Sequence, residues 1–177
     1  HINSNKLICV NMGLPVLDSN LIPTKFQKIK SSLPEGKIFF NDKYYECYSV
    51  GMGNPHLIII VDSIIDVNLE LWGPLLENNK NFPSKTNVHF VEIIDVNRIK
   101  IIVWERGCGP TLACGTGACA CVVATYLLGL TDRQVKVKLP GGLLDINWTS
   151  KQDPVLMTGA ADLVYEGRFD YEEFLIK

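Results

Sequence analysis

The segment Cys114-Gly115-Thr116-Gly117-Ala118-Cys119-Ala120-Cys121-Val122-Val123-Ala124-Thr125-Tyr126-Leu127-Leu128 decides how the rest of the chain must fold. From about Gly115 to Leu128 it reads as a helix without a single charged residue. A helix that is apolar all round has no face to offer water, so it must be enclosed on every side. Its first turns are built from small residues, which lets neighbouring backbone come close.

The enclosing elements are short strands punctuated by Gly, Pro, Asn and Asp. Lys6–Val10 reads as a strand ending at Asn11-Met12-Gly13-Leu14-Pro15. Lys37–Phe40 and Tyr44–Val50 flank Asn41-Asp42-Lys43, a hairpin pattern. Leu57–Val61 is a continuous apolar run, the mark of a strand buried on both faces. Val88–Ile94 with Ile99–Trp104, and Val135–Leu139 with Leu143–Trp148, give two further hairpins. Val155–Met157 and Leu163–Tyr165 read as closing strands, and Leu69–Asn78 as a second, short helix containing Pro74. The expected fold class is α+β: a curved antiparallel, barrel-like sheet wrapped around one central buried helix. No internal repeat or low-complexity linker interrupts it.

Composition agrees with one packed domain. Of 177 residues, 47% are hydrophobic and 20% charged, and the formal net charge is −2. The charge argues against nucleic acid or an anionic membrane as partner. The apolar runs are too short to span a bilayer. The chain opens on His1 with no initiator Met and no signal-like segment, which reads as a trimmed chain or a fragment. Six cysteines occur, at positions 9, 47, 108, 114, 119 and 121. In a chain of this size without a secretory signal they are expected as reduced thiols in the cytoplasm. Their spacing matches no usual zinc motif, so no metal is expected.

The chemistry concentrates in Trp104-Glu105-Arg106-Gly107-Cys108-Gly109-Pro110-Thr111-Leu112-Ala113-Cys114-Gly115-Thr116-Gly117-Ala118. A helix start presents unpaired N–H groups and about half a positive charge, and so binds carboxylates or phosphates. A Cys placed there is expected to gain thiolate character, its pKa falling from about 8.5 toward neutrality. Glu105 and Arg106, at the end of the preceding strand, can meet an ammonium and a carboxylate. Cys119 and Cys121 lie inside the helix, and Cys9 and Cys47 in strands, where a Cys is a small core residue. Cys108 lies in the loop and has no assigned role. A second segment, Gly51-Met52-Gly53-Asn54-Pro55-His56, joins two buried strands. Proline holds Asn54 out of the helical region and so fixes its amide direction. Taken alone it reads as a turn followed by a strand-end His. Asn87 opens the Val88 strand, and His89 inside that strand receives no role.

Together these segments resemble the diaminopimelate epimerase family. The resemblance rests on Met52-Gly53-Asn54-Pro55-His56, Asn87, Glu105–Ala118 and Leu139-Pro140-Gly141-Gly142-Leu143-Leu144. Asn11-Met12-Gly13-x-Pro15, Leu71–Glu77 and Met157-Thr158-Gly159 add to it, and the matches cover most of the chain in order. Pro110 departs from the pattern, where an acidic residue is frequent, at a position with no named role. The resemblance implies interconversion of LL- and meso-diaminopimelate by two thiols, with neither pyridoxal phosphate nor metal. It implies a homodimer of protomers with two pseudo-symmetric domains, each giving one Cys at a central helix start. Cys114 matches the second thiol. Asn54, Asn87, Glu105 and Arg106 match residues that hold the substrate. Gly115 and Thr116 match the carboxylate cradle, and His56 and Glu105 match residues that tune the thiols.

On this reading residues 1–168 are the C-terminal, substrate-binding domain. Residues 169–177 cross back onto an N-terminal domain absent from the sequence. None of the other five cysteines fits the opposite-face thiol, so the chain alone is expected to be inactive. A proline racemase-like or phenazine-biosynthesis-like isomerase of the same fold, and a non-catalytic amino-acid-binding module, are the alternatives.

Overall fold

Ten strands and two helices organise residues 7–168, the part of the chain that the computed structural model describes. In chain order they are β1 (Leu7–Asn11), β2 (Glu35–Phe40), β3 (Lys43–Gly51), β4 (Pro55–Val61), α1 (Leu69–Glu77) and β5 (Asn87–Asp95). There follow β6 (Arg98–Glu105), β7 (Gly109–Pro110), α2 (Gly115–Leu127), β8 (Gln134–Leu139), β9 (Gly142–Asn147) and β10 (Leu156–Ala160). All ten strands join one sheet in the order β1-β10-β9-β8-β6-β5-β4-β3-β2, with β7 folded back on β6.

The three expected hairpins are present. Asn41 and Asp42, both at positive φ, turn β2 into β3, as a two-residue hairpin turn requires. The sheet is nevertheless mixed, not antiparallel throughout. β4 pairs with β5 in parallel, and so does β6 with β8. Each parallel pair is joined by a helical crossover, α1 in the first case and α2 in the second, because a parallel return needs a long connection. The sheet is also open, with β1 and β2 as its edges. The closing strand expected at Leu163–Tyr165 does not form. Those side chains stand exposed, and among the described residues no strand pairs with them.

The helices cover opposite faces of the central strands. Leu57, Ile59, Val88 and Phe90 pack with Trp72 and Leu76 of α1. Ile58, Val91, Ile99 and Ile101 pack with the wholly buried run Ala118–Ala124 of α2. Successive residues of β4 and β5 therefore point into two different cores, which is why their sequences read as apolar runs and not as alternation. The parallel register sets His56 beside Asn87 and Ile58 beside His89. With a strand period of two, His56 and His89 both point to the α2 face, at the end where α2 begins.

Candidate active site

Cys114 is the N-cap of α2, in extended backbone, and its carbonyl accepts the first helical bond from Ala118 at 2.9 Å. The next backbone N–H groups, of Gly115 and Thr116, have no acceptor within the helix and face outward from its start. The Thr116 hydroxyl lies 3.6 Å from the sulfur, and the nearby Gly117 N–H also favours its ionised form. The loop before the cysteine is pinned from outside, since the Gly141 N–H, in the turn from β8 to β9, donates to the Leu112 carbonyl at 2.7 Å.

The Cys114 thiol departs from the sequence expectation. Burial, with only 6% of the residue exposed, pushes its pKa up. The Glu105 carboxylate beside it pushes the same way, and the Thr116 and Gly117 donors only partly oppose the rise. A helix start favours thiolate, but here desolvation wins and the resting group is a thiol. Cys119, Cys121 and Cys47 are buried core thiols as expected, with Cys119 and Cys47 pushed up to about 12 by burial. None of the six cysteines is in a disulfide.

Glu105 and Arg106 are held by a tight hairpin. β7 pairs with Trp104 and Glu105, and the Cys108 N–H closes the turn on the Glu105 carbonyl at 3.0 Å. Gly107 and Gly109 supply the positive φ angles this turn needs. Glu105 accepts from the Thr111 hydroxyl at 2.5 Å. The hairpin is anchored by Glu77, at the end of α1, a residue to which sequence reasoning gave no individual role. Its buried carboxylate accepts from Trp104 Nε1 at 2.7 Å and from the Gly107 N–H at 3.1 Å, and Lys85 Nζ lies 3.6 Å away.

Asn87 is a strut. Its Oδ1 accepts the Arg106 N–H at 3.0 Å and its Nδ2 donates to the Pro55 carbonyl at 3.0 Å, so it ties the Arg106 hairpin to the Asn54 loop. The Arg106 guanidinium donates to the Ser84 carbonyl at 2.9 Å. Asn54 Oδ1 lies 2.8 Å from His56 Nε2, and His56 Nδ1 lies 2.8 Å from His89 Nε2. Both histidines are fully buried. Burial drives His56 well below its ordinary pKa, with His89 and Arg106 adding to the effect, and drives His89 down to about 3. Both rings are therefore neutral near pH 7.

The eight candidate residues thus meet around one helix start: Cys114, Gly115 and Thr116 on α2, Glu105 and Arg106 from the hairpin, Asn54 and His56 from the β3–β4 turn, and Asn87 linking the last two groups. His89 is the residue that sequence reasoning missed. One nitrogen of His56, one of His89 and the Cys114 sulfur lie within 4.8 Å of one another, a donor set able in principle to hold a soft metal ion. The His89 ring lies against the start of α2, where a Cβ on Gly117 would stand 2.1 Å from its Cε1. A cavity of about 580 Å³ among Lys43, Tyr45, Tyr48, Asp62 and Trp72 opens at the far ends of β3 and β4, away from these groups. Its lining includes none of the eight residues, so the chemistry points to the helix start.

The fold has a counterpart among proteins of known structure. A solved structure of a "probable proline racemase" from Agrobacterium radiobacter K84 matches 72% of this chain and 46% of its own, with a TM-score of 0.51 at 12% identity. The likeness is one of fold alone. The family model for diaminopimelate epimerase matches residues 48–164, and the chain belongs to that family. The diaminopimelate epimerase of Prochlorococcus marinus (strain NATL2A) is 49% identical over 170 residues, covering 96% of this chain and 60% of the relative. That of Carboxydothermus hydrogenoformans is 46% identical over 165 residues, covering 93% and 59%. The chain thus spans about 60% of the length of these curated relatives. Among the described residues no helix is long and apolar enough to cross a membrane.

Proposed function

We propose that this chain is the C-terminal half of a diaminopimelate epimerase, and that Cys114 moves the α-proton on one face of the substrate. The observation that carries this reading is the cap itself. A thiol at the start of a buried helix has a carboxylate, Glu105, on one side and free helix N–H groups on the other. A base must lose its own proton before it can take one, and the Glu105 charge sets how readily Cys114 does so. The Gly115 and Thr116 N–H groups then face the substrate α-carboxylate, where negative charge grows as the α-proton leaves. In the reverse direction Cys114 returns its proton to the carbanion. Neither direction calls for a cofactor.

Asn54, Arg106 and Glu105 are proposed to hold the non-reacting carboxylate and ammonium. Asn87 supports them by fixing the Arg106 hairpin, since both ends of its amide are occupied. Inverting a centre needs a second group on the opposite face, which we assign to residues outside these 177. Residues 1–168 form the half-site on this reading. Residues 169–177, which lie outside the described residues, are proposed to pack on that other domain together with exposed Leu14 and Leu112. A homodimeric, cytoplasmic enzyme fits the family and six cysteines held outside any disulfide. The test is exchange of the substrate α-proton in deuterated water. The intact enzyme should wash deuterium into diaminopimelate, and Cys114→Ala should abolish epimerisation. Cys114-dependent exchange by the 177-residue chain alone would overturn the half-site reading.

A further inference from the structure

Two polar contacts in series lie beside Cys114. Asn54 Oδ1 lies against His56 Nε2, His56 Nδ1 lies against His89 Nε2, and His89 Nδ1 is buried without a hydrogen-bond partner. A neutral imidazole has one proton for two nitrogens, so the series can run in only two directions. In the first, the Asn54 amide is reversed and donates to His56, His56 Nδ1–H donates to His89 Nε2, and the His89 proton is stranded on Nδ1. In the second, His89 Nε2–H donates to His56 Nδ1, and His56 Nε2–H donates to Asn54 Oδ1. What is left over at His89 Nδ1 is then a lone pair. A buried N–H without an acceptor is rarer and costlier than an under-used acceptor.

We infer that His89 is a positioning residue whose Nε2–H fixes His56 as the Nε2–H tautomer, and that His56 thereby holds Asn54 with its oxygen turned inward. The consequence is selectivity. With its oxygen turned inward onto His56, Asn54 presents chiefly the two donors of its NH₂ group to a ligand. It then favours a carboxylate at this position over an ammonium. Gly117 is part of the device, because a side chain there would displace the His89 ring. The consequence for selectivity rests on the proposed role of Asn54 in substrate binding. The tautomer does not.

The test uses the intact protein and two variants. Long-range proton–nitrogen correlation spectra near pH 7.5 should show the His56 proton on Nε2 and a bare Nδ1. His89→Gln keeps a donor facing His56 Nδ1 and should keep that tautomer. His89→Leu removes the donor that holds the ring, so His56 should lose its fixed orientation against Asn54 and KM for diaminopimelate should rise about three- to tenfold, the loss of one net hydrogen bond. The change in kcat should be smaller, with Gln restoring KM toward wild type. A wild-type His56 carrying its proton on Nδ1 overturns the inference even if the enzyme is fully active. So does an unchanged KM in the Leu variant. Should the Leu variant not fold, the wild-type and Gln spectra decide alone. Absence of epimerase activity in the wild type would sink the functional reading and leave the tautomer result standing.

Discussion

Gly117→Ala separates two opposing contributions at one atom. Gly117 is the third residue of α2, where glycine costs about 1 kcal/mol of helix stability relative to alanine. Helix propensity alone therefore predicts that the substitution stabilises. The structure predicts the reverse. The new Cβ would lie 2.1 Å from His89 Cε1, 2.7 Å from Nε2 and 2.9 Å from Nδ1, where ordinary contact begins at 3.4 Å. The ring must retreat by more than an ångström. It is fully buried and hydrogen-bonded to His56 at 2.8 Å, so retreat breaks that bond or forces α2 outward. Overpacking of this kind costs about 1–3 kcal/mol and the lost hydrogen bond about 1 kcal/mol more. After the propensity gain, the net loss is about 2 kcal/mol, or a fall in Tm of about 4–8 °C for a chain of this size. Urea denaturation of the intact protein should show a lower midpoint with an unchanged slope. The decisive comparison is a His89→Ala background. There the obstacle is gone, so Gly117→Ala should become neutral or stabilising, with a coupling energy of about 1–3 kcal/mol between the two sites. A stabilising Gly117→Ala in the wild-type background, or the same cost in both, would refute the packing argument.

Three further outcomes are expected. Glu77→Ala should cost about 2–4 kcal/mol in urea denaturation, because it strands the Trp104 and Gly107 N–H groups, and Glu77→Gln, which keeps an acceptor, should cost about half. Glu105→Gln should accelerate alkylation of Cys114 by iodoacetamide at neutral pH, since the carboxylate is one of the groups raising the thiol's pKa; slower alkylation would mean that the carboxylate acts as a base for the thiol and not as a charge opposing its ionisation. Folding stability should also fall in acid on account of His89. Its folded pKa of about 3 lies below the ordinary 6.5, so the unfolded state binds the extra proton. The contribution is intact above pH 6.5 and is lost as pH falls from there toward 3, about 2 kcal/mol by pH 5. Urea midpoints should show this slope in the wild type and a shallower one in His89→Gln.

Much of the fold could be read from local pattern, because its determinants are local. The apolar α2 stretch announces a buried helix, and Asn41-Asp42 announces a turn of φ-positive residues. Cys114 and Glu105 were placed correctly at a helix start and a strand end for the same reason. His89 was not legible. In β5 it occupies a position indistinguishable from core, and its meaning depends on the parallel register with β4, which the α1 crossover sets. Local sequence does not carry that register. The sheet's mixed character was missed for the same cause. Glu77 looks like an ordinary polar helix end until β6 brings Trp104 against α1. The thiol's pKa was misjudged in sign because the helix terminus is written in the sequence and the desolvation is not.

That sign bears on how the proposed reaction is timed. Burial and the Glu105 charge keep Cys114 a thiol at rest, which protects it from alkylation and oxidation between turnovers. A substrate ammonium placed against Glu105 would cancel one of the two influences that raise the thiol. Proton loss from Cys114 would then be favoured when the substrate is present and resisted when it is absent. The α-carboxylate works against this, since it brings negative charge to the α2 start. It is met there by the Gly115 and Thr116 N–H groups, while the Gly117 and Thr116 donors remain on the sulfur. The donors serving the carboxylate and those serving the thiolate are thus largely different groups. An arrangement of this kind lets one helix start hold two negative charges during the same step, provided the ammonium is in place. A substrate analogue lacking the distal ammonium should therefore bind without speeding alkylation of Cys114, whereas diaminopimelate should speed it wherever access is not blocked. Equal effects of the two would break the proposed link between Glu105 and the timing of the thiol.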